Sequence, residues 1–83
     1  MLKDNRYVLV VKGSMQSENV EKVLSKKTNG YICKSKYMNE NNVELIYEVK
    51  FKKKVDTTLV ELIRTIPGAA IVNLVESNTE TMG

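Results

Sequence analysis

The sequence predicts a single α+β sandwich, in which a four-stranded antiparallel sheet carries two helices on one face. Six short elements follow one another in the order β-α-β-β-α-β over 83 residues, and a chain of this length builds one small domain. The first and third predicted strands are the most apolar, as central strands usually are. These observations together predict the ferredoxin-like arrangement with strand order 4-1-3-2.

The first strand is predicted at residues 6–12, "RYVLVVK", because short runs rich in Val, Leu and Tyr favour extended structure. Residues 31–38, "YICKSKYM", alternate less clearly and are predicted to place Tyr31, Cys33, Ser35 and Tyr37 on one side. Residues 43–51 alternate most regularly of all. The apolar face of that third strand consists of Val43, Leu45, Tyr47, Val49 and Phe51.

The first helix is predicted to begin at an N-cap, Ser17, and to stop at Asn29-Gly30 in a left-handed conformation. The second helix carries a capping box of Thr58 and Glu61. Pro67-Gly68 ends that helix, and residues 69–75, "AAIVNLV", form the last strand. The domain is therefore placed at residues 6–76. Residues 1–5 are interpreted as a disordered or artificially added N-terminus and residues 77–83 as a flexible tail.

The composition argues against an enzyme. Without any His, the commonest general base and metal ligand is missing. A single cysteine, Cys33, excludes an intramolecular disulfide and Cys-rich zinc sites, and it fits a reducing compartment. We therefore expect no catalytic residues, no metal and no cofactor. The acids Glu44 and Glu48 are expected to pair with Lys34 and Lys36 across a hairpin.

Three surfaces are candidate sites. The loop Gly13, Ser14, Met15, Gln16 and Ser17 precedes a helix N-terminus, where an anion can bind, although a plain connection is the simpler interpretation. The cluster Lys50, Lys52, Lys53 and Lys54 could contact an anionic membrane surface or an acidic partner, or could be an ordinary solvated strand end. The third surface is the sheet face without helices. Ile46 is expected there, together with Val8 and Val10 or, in the other register of β1, Tyr7, Leu9 and Val11, and with either Ile71 or Val72. The preferred set is Val8, Val10, Ile46 and Ile71.

"VELIYEVKFKKKVDTTLVELI" followed by "IPGAAIVNLVES" resembles the C-terminal module of an uncharacterised bacterial membrane-protein family. Its members carry several transmembrane helices followed by a cytoplasmic ferredoxin-like domain. The resemblance covers residues 43–83 and implies a domain on the cytoplasmic side of the inner membrane, joined to a longer chain. The helix-Pro-Gly-strand joint is also similar to ACT domains, which bind amino acids between paired copies.

These observations lead to an expected function of regulation or assembly without catalysis, through self-association or partner contact by the sheet. The alternative is an ACT-like sensor that binds a small molecule at residues 13–17. Nucleic-acid binding through Lys50 to Lys54 is not expected, because ten acidic residues are interleaved with thirteen basic ones at a net charge of +3. Direct membrane insertion is not expected either. The partner would be a second copy or the rest of a longer chain.

Overall fold

The computed structural model describes residues 5–77 and has the predicted ferredoxin-like α+β fold. Its elements are β1 (Arg6–Gly13), α1 (Ser17–Lys27), β2 (Gly30–Asn39), β3 (Asn42–Lys50), α2 (Thr58–Arg64) and β4 (Ala69–Glu76). The strands form one antiparallel sheet in the order β2-β3-β1-β4. This is the predicted order 4-1-3-2 counted from the other edge, so β1 and β3 are central as expected.

The backbone pairing of the sheet extends slightly beyond the strands at both ends of the domain. The Phe51 amide donates to the Asn5 carbonyl at 3.0 Å, and the Ser77 amide donates to the Arg6 carbonyl at 3.0 Å. Asn5 and Ser77 were both assigned to terminal segments by the sequence, and both bond to the sheet. The rest of those predicted segments, residues 1–4 and 78–83, lies outside the described residues.

Both helices pack on the same face of the sheet, with α1 towards β2 and α2 towards β4. That face carries the alternate residues of the two central strands, as their two-residue periodicity predicts. The buried core comprises Leu9, Val11, Met15, Val20, Leu24, Leu45, Tyr47, Val49, Phe51, Leu59, Ile63, Ile66 and Val72. Two edge-to-face aromatic pairs lie on either side of β3, since Tyr7 and Tyr31 both pair with Val49. Tyr7 packs on Phe51 at 5.6 Å between ring centroids, and Tyr31 packs on Tyr47 at 5.9 Å.

The joint between α2 and β4 is closed against the end of β1. Gly68 has a φ of +94°, as predicted for the residue after Pro67. The Ser14 amide donates to the Gly68 carbonyl at 2.9 Å, which binds the β1–α1 loop to this joint. A Cβ atom on Gly13 would overlap the Gly68 carbonyl, and one on Gly68 would overlap the Ser14 carbonyl. The approach of these two backbone segments therefore requires glycine on both sides.

The structure corrects the predicted faces of β2. A β-bulge between Cys33 and Ser35 inserts Lys34 as an extra residue, since Cys33 pairs with Tyr47 and Ser35 already pairs with Ile46. Tyr31 and Cys33 lie on the helix side. After the bulge, the side chains that were expected on one face of the sheet lie on the other. Ser35 and Tyr37 lie on the helix-free side, opposite Ile46 and Glu44. Lys36 and Met38, predicted on that side, lie on the helix side instead.

The helix ends also differ from the predicted capping residues. Ser17 is already helical, and Gln16 precedes it without a side-chain cap. The first helix ends at Thr28, whose amide and hydroxyl both donate to the Leu24 carbonyl, so Gly30 does not need the left-handed conformation. At α2, the cap is Asp56 rather than Thr58 with Glu61. The Asp56 carboxylate accepts hydrogen bonds from the amide and the hydroxyl of Thr58.

Candidate functional site

The open sheet face, meaning the side opposite the helices, carries a continuous group of apolar side chains. In the register of the sheet, Val10 lies beside Ile46 on β3, and Val8 lies beside Val75 on β4. Ile71 pairs with Lys12 and lies diagonally across from Val10. We call Val8, Val10, Ile46, Ile71 and Val75 the apolar patch. The pairing thus places Val8, Val10, Ile46 and Ile71 on the open side of the sheet, and it adds Val75, which the sequence analysis missed.

Exposure of the patch increases towards the β4 edge. Ile71 is 48% exposed and Val75 is 56% exposed, whereas Val8, Val10 and Ile46 are partly shielded by their neighbours. Ile32 and Tyr37 on β2 also reach this side of the sheet and are more than half exposed. Scattered apolar residues are normal on a protein surface, but a contiguous group across three strands is typical of a contact surface.

Ion pairs frame the apolar patch. Glu48 lies 3.5 Å from Arg6 and 4.0 Å from Lys34, and Glu44 lies 3.8 Å from Lys12. The predicted pair of Lys34 with Glu48 is therefore present. The predicted partner Lys36 is instead on the helix side, because the bulge reverses the phase of β2, and Glu44 pairs with Lys12 from β1. Every acidic side chain on the open face of β3 thus has a basic partner on a neighbouring strand.

The two edges of the sheet are unlike each other. The β2 edge is interrupted by the bulge at Lys34 and carries a second lysine, Lys36. Bulges and lysines are common means of preventing an edge from pairing with another strand. The β4 edge, Ala69–Glu76, has no charged residue before Glu76, and its pairing with β1 is regular from Ile71 onward. Among the described residues, β4 has a strand neighbour on one side only.

The loop from Gly13 to Ser17 borders a groove between the N-terminus of α1 and the β2–β3 hairpin. Its lining residues are Met15, Gln16, Ser17, Glu18, Glu21, Lys36, Met38, Val43 and Leu45. The Ser14 amide is engaged by Gly68, so it does not point at a ligand. Glu18 in the first turn of α1 and Glu21 one turn later place negative charge where an anion would otherwise be favoured. This geometry weighs against anion binding at the loop.

One polar contact is buried beside that groove. The Tyr47 hydroxyl donates to Glu21 Oε2 at 2.7 Å, which joins β3 to α1. Burial, followed by this hydrogen bond to a carboxylate, raises the pKa of Tyr47 well above its ordinary value. The hydroxyl is therefore a fixed hydrogen-bond donor. Its hydrogen bond to Glu21 holds α1 over the sheet.

The remaining predicted residues are separate from one another. Lys50 ends β3 with its side chain exposed, and Lys52, Lys53 and Lys54 are exposed in the loop before α2. Cys33 is an exposed residue of β2, and its thiol donates to the Ser35 carbonyl at 3.6 Å. Within residues 5–77, no three acidic or thiol side chains are grouped as a metal site would require.

The chain matches no protein-family model, no curated protein and no solved structure at a significant level. Over the described residues, neither helix has the length and apolar character needed to cross a bilayer. Any assignment of function therefore depends on the surfaces of the molecule itself.

Proposed function

We propose that this domain is a non-enzymatic association module that joins a second copy of itself through the open sheet face. We further propose that it belongs to a larger bacterial membrane protein, on the cytoplasmic side, where it acts in regulation or assembly. The resemblance of residues 43–83 supports that setting. The association itself is supported by the structure of the sheet.

The observation that carries this proposal is the uncovered apolar patch, Val8, Val10, Ile46, Ile71 and Val75. The helices protect only the other side of the sheet, so these side chains meet water in an isolated copy. Burial of apolar surface contributes roughly 25 cal/mol per Å². A patch centred on a flat, hydrogen-bonded sheet can meet a second sheet with little loss of side-chain freedom, because its residues are β-branched.

A second copy is the occupant that best suits the charges around the patch. A symmetric dimer brings the same surface together twice, so unpaired charges of one sign would repel each other. Here the carboxylates of Glu44 and Glu48 are already paired with Arg6, Lys12 and Lys34 inside each copy. These exposed pairs add little stability, of the order of 1 kcal/mol or less each. Their effect is to lower the charge that each copy presents to the other.

The test is sedimentation equilibrium over a wide concentration range, comparing the wild-type chain with Ile46→Glu. We expect the wild type to sediment well above its monomer mass of 9.4 kDa and Ile46→Glu to lose that contact. The substitution places a third carboxylate between Glu44 and Glu48, in the middle of the patch. Leu62→Glu is the matched control, because Leu62 is a partly exposed residue of α2 on the opposite side of the domain.

A second variant keeps the test independent of folding. Ile46→Lys inserts a cation between two carboxylates, so the isolated domain keeps its stability while the patch loses its apolar centre. Both variants should show the same loss of mass, and Leu62→Glu should match the wild type. A wild-type chain that remains a monomer at all concentrations, or an Ile46→Lys variant with wild-type mass, would contradict the proposal.

A further inference from the structure

We propose that the outer edge of β4 is a second interface, distinct from the open face, through which two copies join antiparallel into one continuous sheet. The interface consists of backbone hydrogen bonds at the edge, whereas the open-face contact consists of side chains. It goes beyond the proposed function, because either interface can exist without the other.

The direction in which the β4 backbone groups point follows from one hydrogen bond. The Ser77 amide donates to the Arg6 carbonyl of β1. Residues of an antiparallel pair alternate between those that bond to the neighbouring strand and those that face away from it. Because Ser77, Val75 and Asn73 share one phase, Glu76, Leu74 and Val72 direct their amides and carbonyls outward. No backbone bond among residues 5–77 reaches that outer side.

A two-fold axis beside Asn73 brings all of these outward groups together. In that register Val72 of one copy lies opposite Leu74 of the second copy, and the converse pair is generated by symmetry. The backbone amide and carbonyl of both residues point outward. Val72 and Leu74 therefore form a hydrogen-bonded pair, in which the amide of each residue donates to the carbonyl of the other. A register shifted by one residue would set outward groups against groups already bonded to β1. The phase of β4 therefore excludes registers shifted by an odd number of residues, and among those that remain this one sets Ile71 against Val75.

The side chains are self-complementary in the same register. On the open face, Ile71 lies opposite Val75 of the second copy, so the two most exposed patch residues of β4 cover each other. Asn73 lies opposite Asn73 of the second copy. Each side-chain carboxamide has an NH₂ donor and an oxygen acceptor, so the two can hydrogen-bond to each other. Glu76 lies opposite Ala70, so no like charges meet. Cross-strand pairs of apolar side chains add roughly 0.2–1 kcal/mol each to such an edge.

A second copy is the occupant we propose, because a second β4 meets both the backbone phase and the side-chain pairs in one register. The β2 edge does not offer the same opportunity, since the bulge at Lys34 and the side chain of Lys36 disrupt it. Each copy therefore has one edge that is competent for strand pairing.

The first test measures amide hydrogen exchange in the Ile46→Glu background, where the open-face contact is removed. We expect the outward amides of Val72 and Leu74 to become protected as protein concentration rises. The Asn73 amide, which is bonded to β1 inside each copy, serves as the internal reference. Exchange of Val72 and Leu74 that is fast at every concentration, or slow at every concentration, would overturn the proposal. The second result would mean that the edge is covered within a single chain.

The second test uses the charge at the two-fold axis. Asn73→Lys in the same background places two like charges directly opposite each other, and we expect it to abolish the concentration-dependent protection. Asn19→Lys, at an exposed position of α1, makes the same change of charge and should leave the protection unchanged. Mixing Asn73→Lys with Asn73→Asp should restore pairing as a mixed dimer.

The two proposals fail in different ways. If the edge proposal is wrong, the mixture of Asn73 variants stays unpaired, while the Ile46 variants still change the wild-type mass. If the open-face proposal is wrong, Ile46→Glu keeps the wild-type mass, and the exchange of Val72 and Leu74 still depends on concentration.

Discussion

Gly13 and Gly68 lie where the end of β1 meets the α2–β4 joint: a Cβ atom on Gly13 would overlap the Gly68 carbonyl, and one on Gly68 would overlap the carbonyl of Ser14, the residue after Gly13. The Gly68 carbonyl accepts the Ser14 amide at 2.9 Å, so the two segments are bonded as well as in contact. The joint positions the start of β4 and hence the Ile71 end of the apolar patch. The geometry of the joint requires that Gly13 and Gly68 have no Cβ atom.

We predict that Gly68→Ala destabilises the domain by about 2–5 kcal/mol. The left-handed conformation disfavours an L side chain by about 1–2 kcal/mol, and overpacking against the Ser14 carbonyl adds about 1–3 kcal/mol. Gly13→Ala should be similarly destabilising, because its Cβ would overlap the Gly68 carbonyl. Urea unfolding monitored by circular dichroism measures both.

Gly30→Ala is the matched control for the glycine prediction. A Cβ atom there would meet nothing within 4 Å, and the residue does not have a positive φ. We expect a change of no more than about 1 kcal/mol, in the stabilising direction, since alanine restricts the unfolded chain. Equal losses at Gly30 and Gly68 would show that the close approach is not the cause.

We predict that Tyr47 makes the domain sensitive to alkaline pH. Its pKa is raised in the folded state, so the folded chain keeps a proton that the unfolded chain releases above about pH 10. The stabilisation is fully present below that pH and is lost as the pH rises, with a limiting slope near 1.4 kcal/mol per pH unit for one proton. Tyr47→Phe should reduce this slope when unfolding free energies are measured between pH 8.5 and 11.5, roughly the range in which tyrosine titrates.

The control for the alkaline prediction is Tyr37→Phe. Tyr37 is 57% exposed on β2, so its replacement leaves the contact between Tyr47 and Glu21 in place. The slope of that variant should equal the wild-type slope. If Tyr47→Phe leaves the slope unchanged, the hydrogen bond to Glu21 does not hold the phenol protonated.

We predict that Asp56 makes the stability of the domain fall as the pH is lowered into the acid range. Its hydrogen bonds from the Thr58 hydroxyl and amide, in that order of effect, lower the pKa of the carboxyl below its ordinary value. The stabilisation is present above about pH 4, the unfolded value, and it is lost as the pH falls through the folded pKa. Asp56→Asn should reduce the fall of the thermal midpoint with acidification. Glu61→Gln, an exposed carboxylate of the same helix, should not.

The order of elements and the faces of β3 could be predicted from the sequence, because β3 alternates without interruption. The face of β1 could not, since both of its sides are apolar and its pairing with β3 is what places Val8 and Val10 on the open side. Which side chains of β2 face the helices could not be predicted from the sequence. "YICKSKYM" alternates equally well in either phase, and the extra residue is visible only through the partners on β3. For the same reason Lys36 was predicted to pair with the acids of β3. The cap at Asp56 was missed because Thr58 and Glu61 fit a common motif, whereas the carboxylate two residues before Thr58 made the bonds.

We predict that β2 tolerates deletion of Lys34. Cys33 would still pair with Tyr47 and Ser35 with Ile46, so every side chain keeps its face. The loss of the exposed pair with Glu48 should cost no more than about 1 kcal/mol. Deletion of Ile46 is the control, since β3 has no bulge to absorb it and a one-residue slip moves core residues to solvent. Urea unfolding should show a folded Lys34-deletion variant and an unfolded Ile46-deletion variant.

The bulge at Lys34 also determines how many strand-pairing partners one molecule can have. A sheet with two straight edges can pair with another copy at each edge, and a sheet built in this way could be extended without limit. In this molecule the extra residue bends the β2 edge, so only the β4 edge can pair with another strand. Pairing through β4 would then stop at two copies. If β4 pairs as proposed, the extra residue Lys34 therefore limits growth of the sheet itself to two copies.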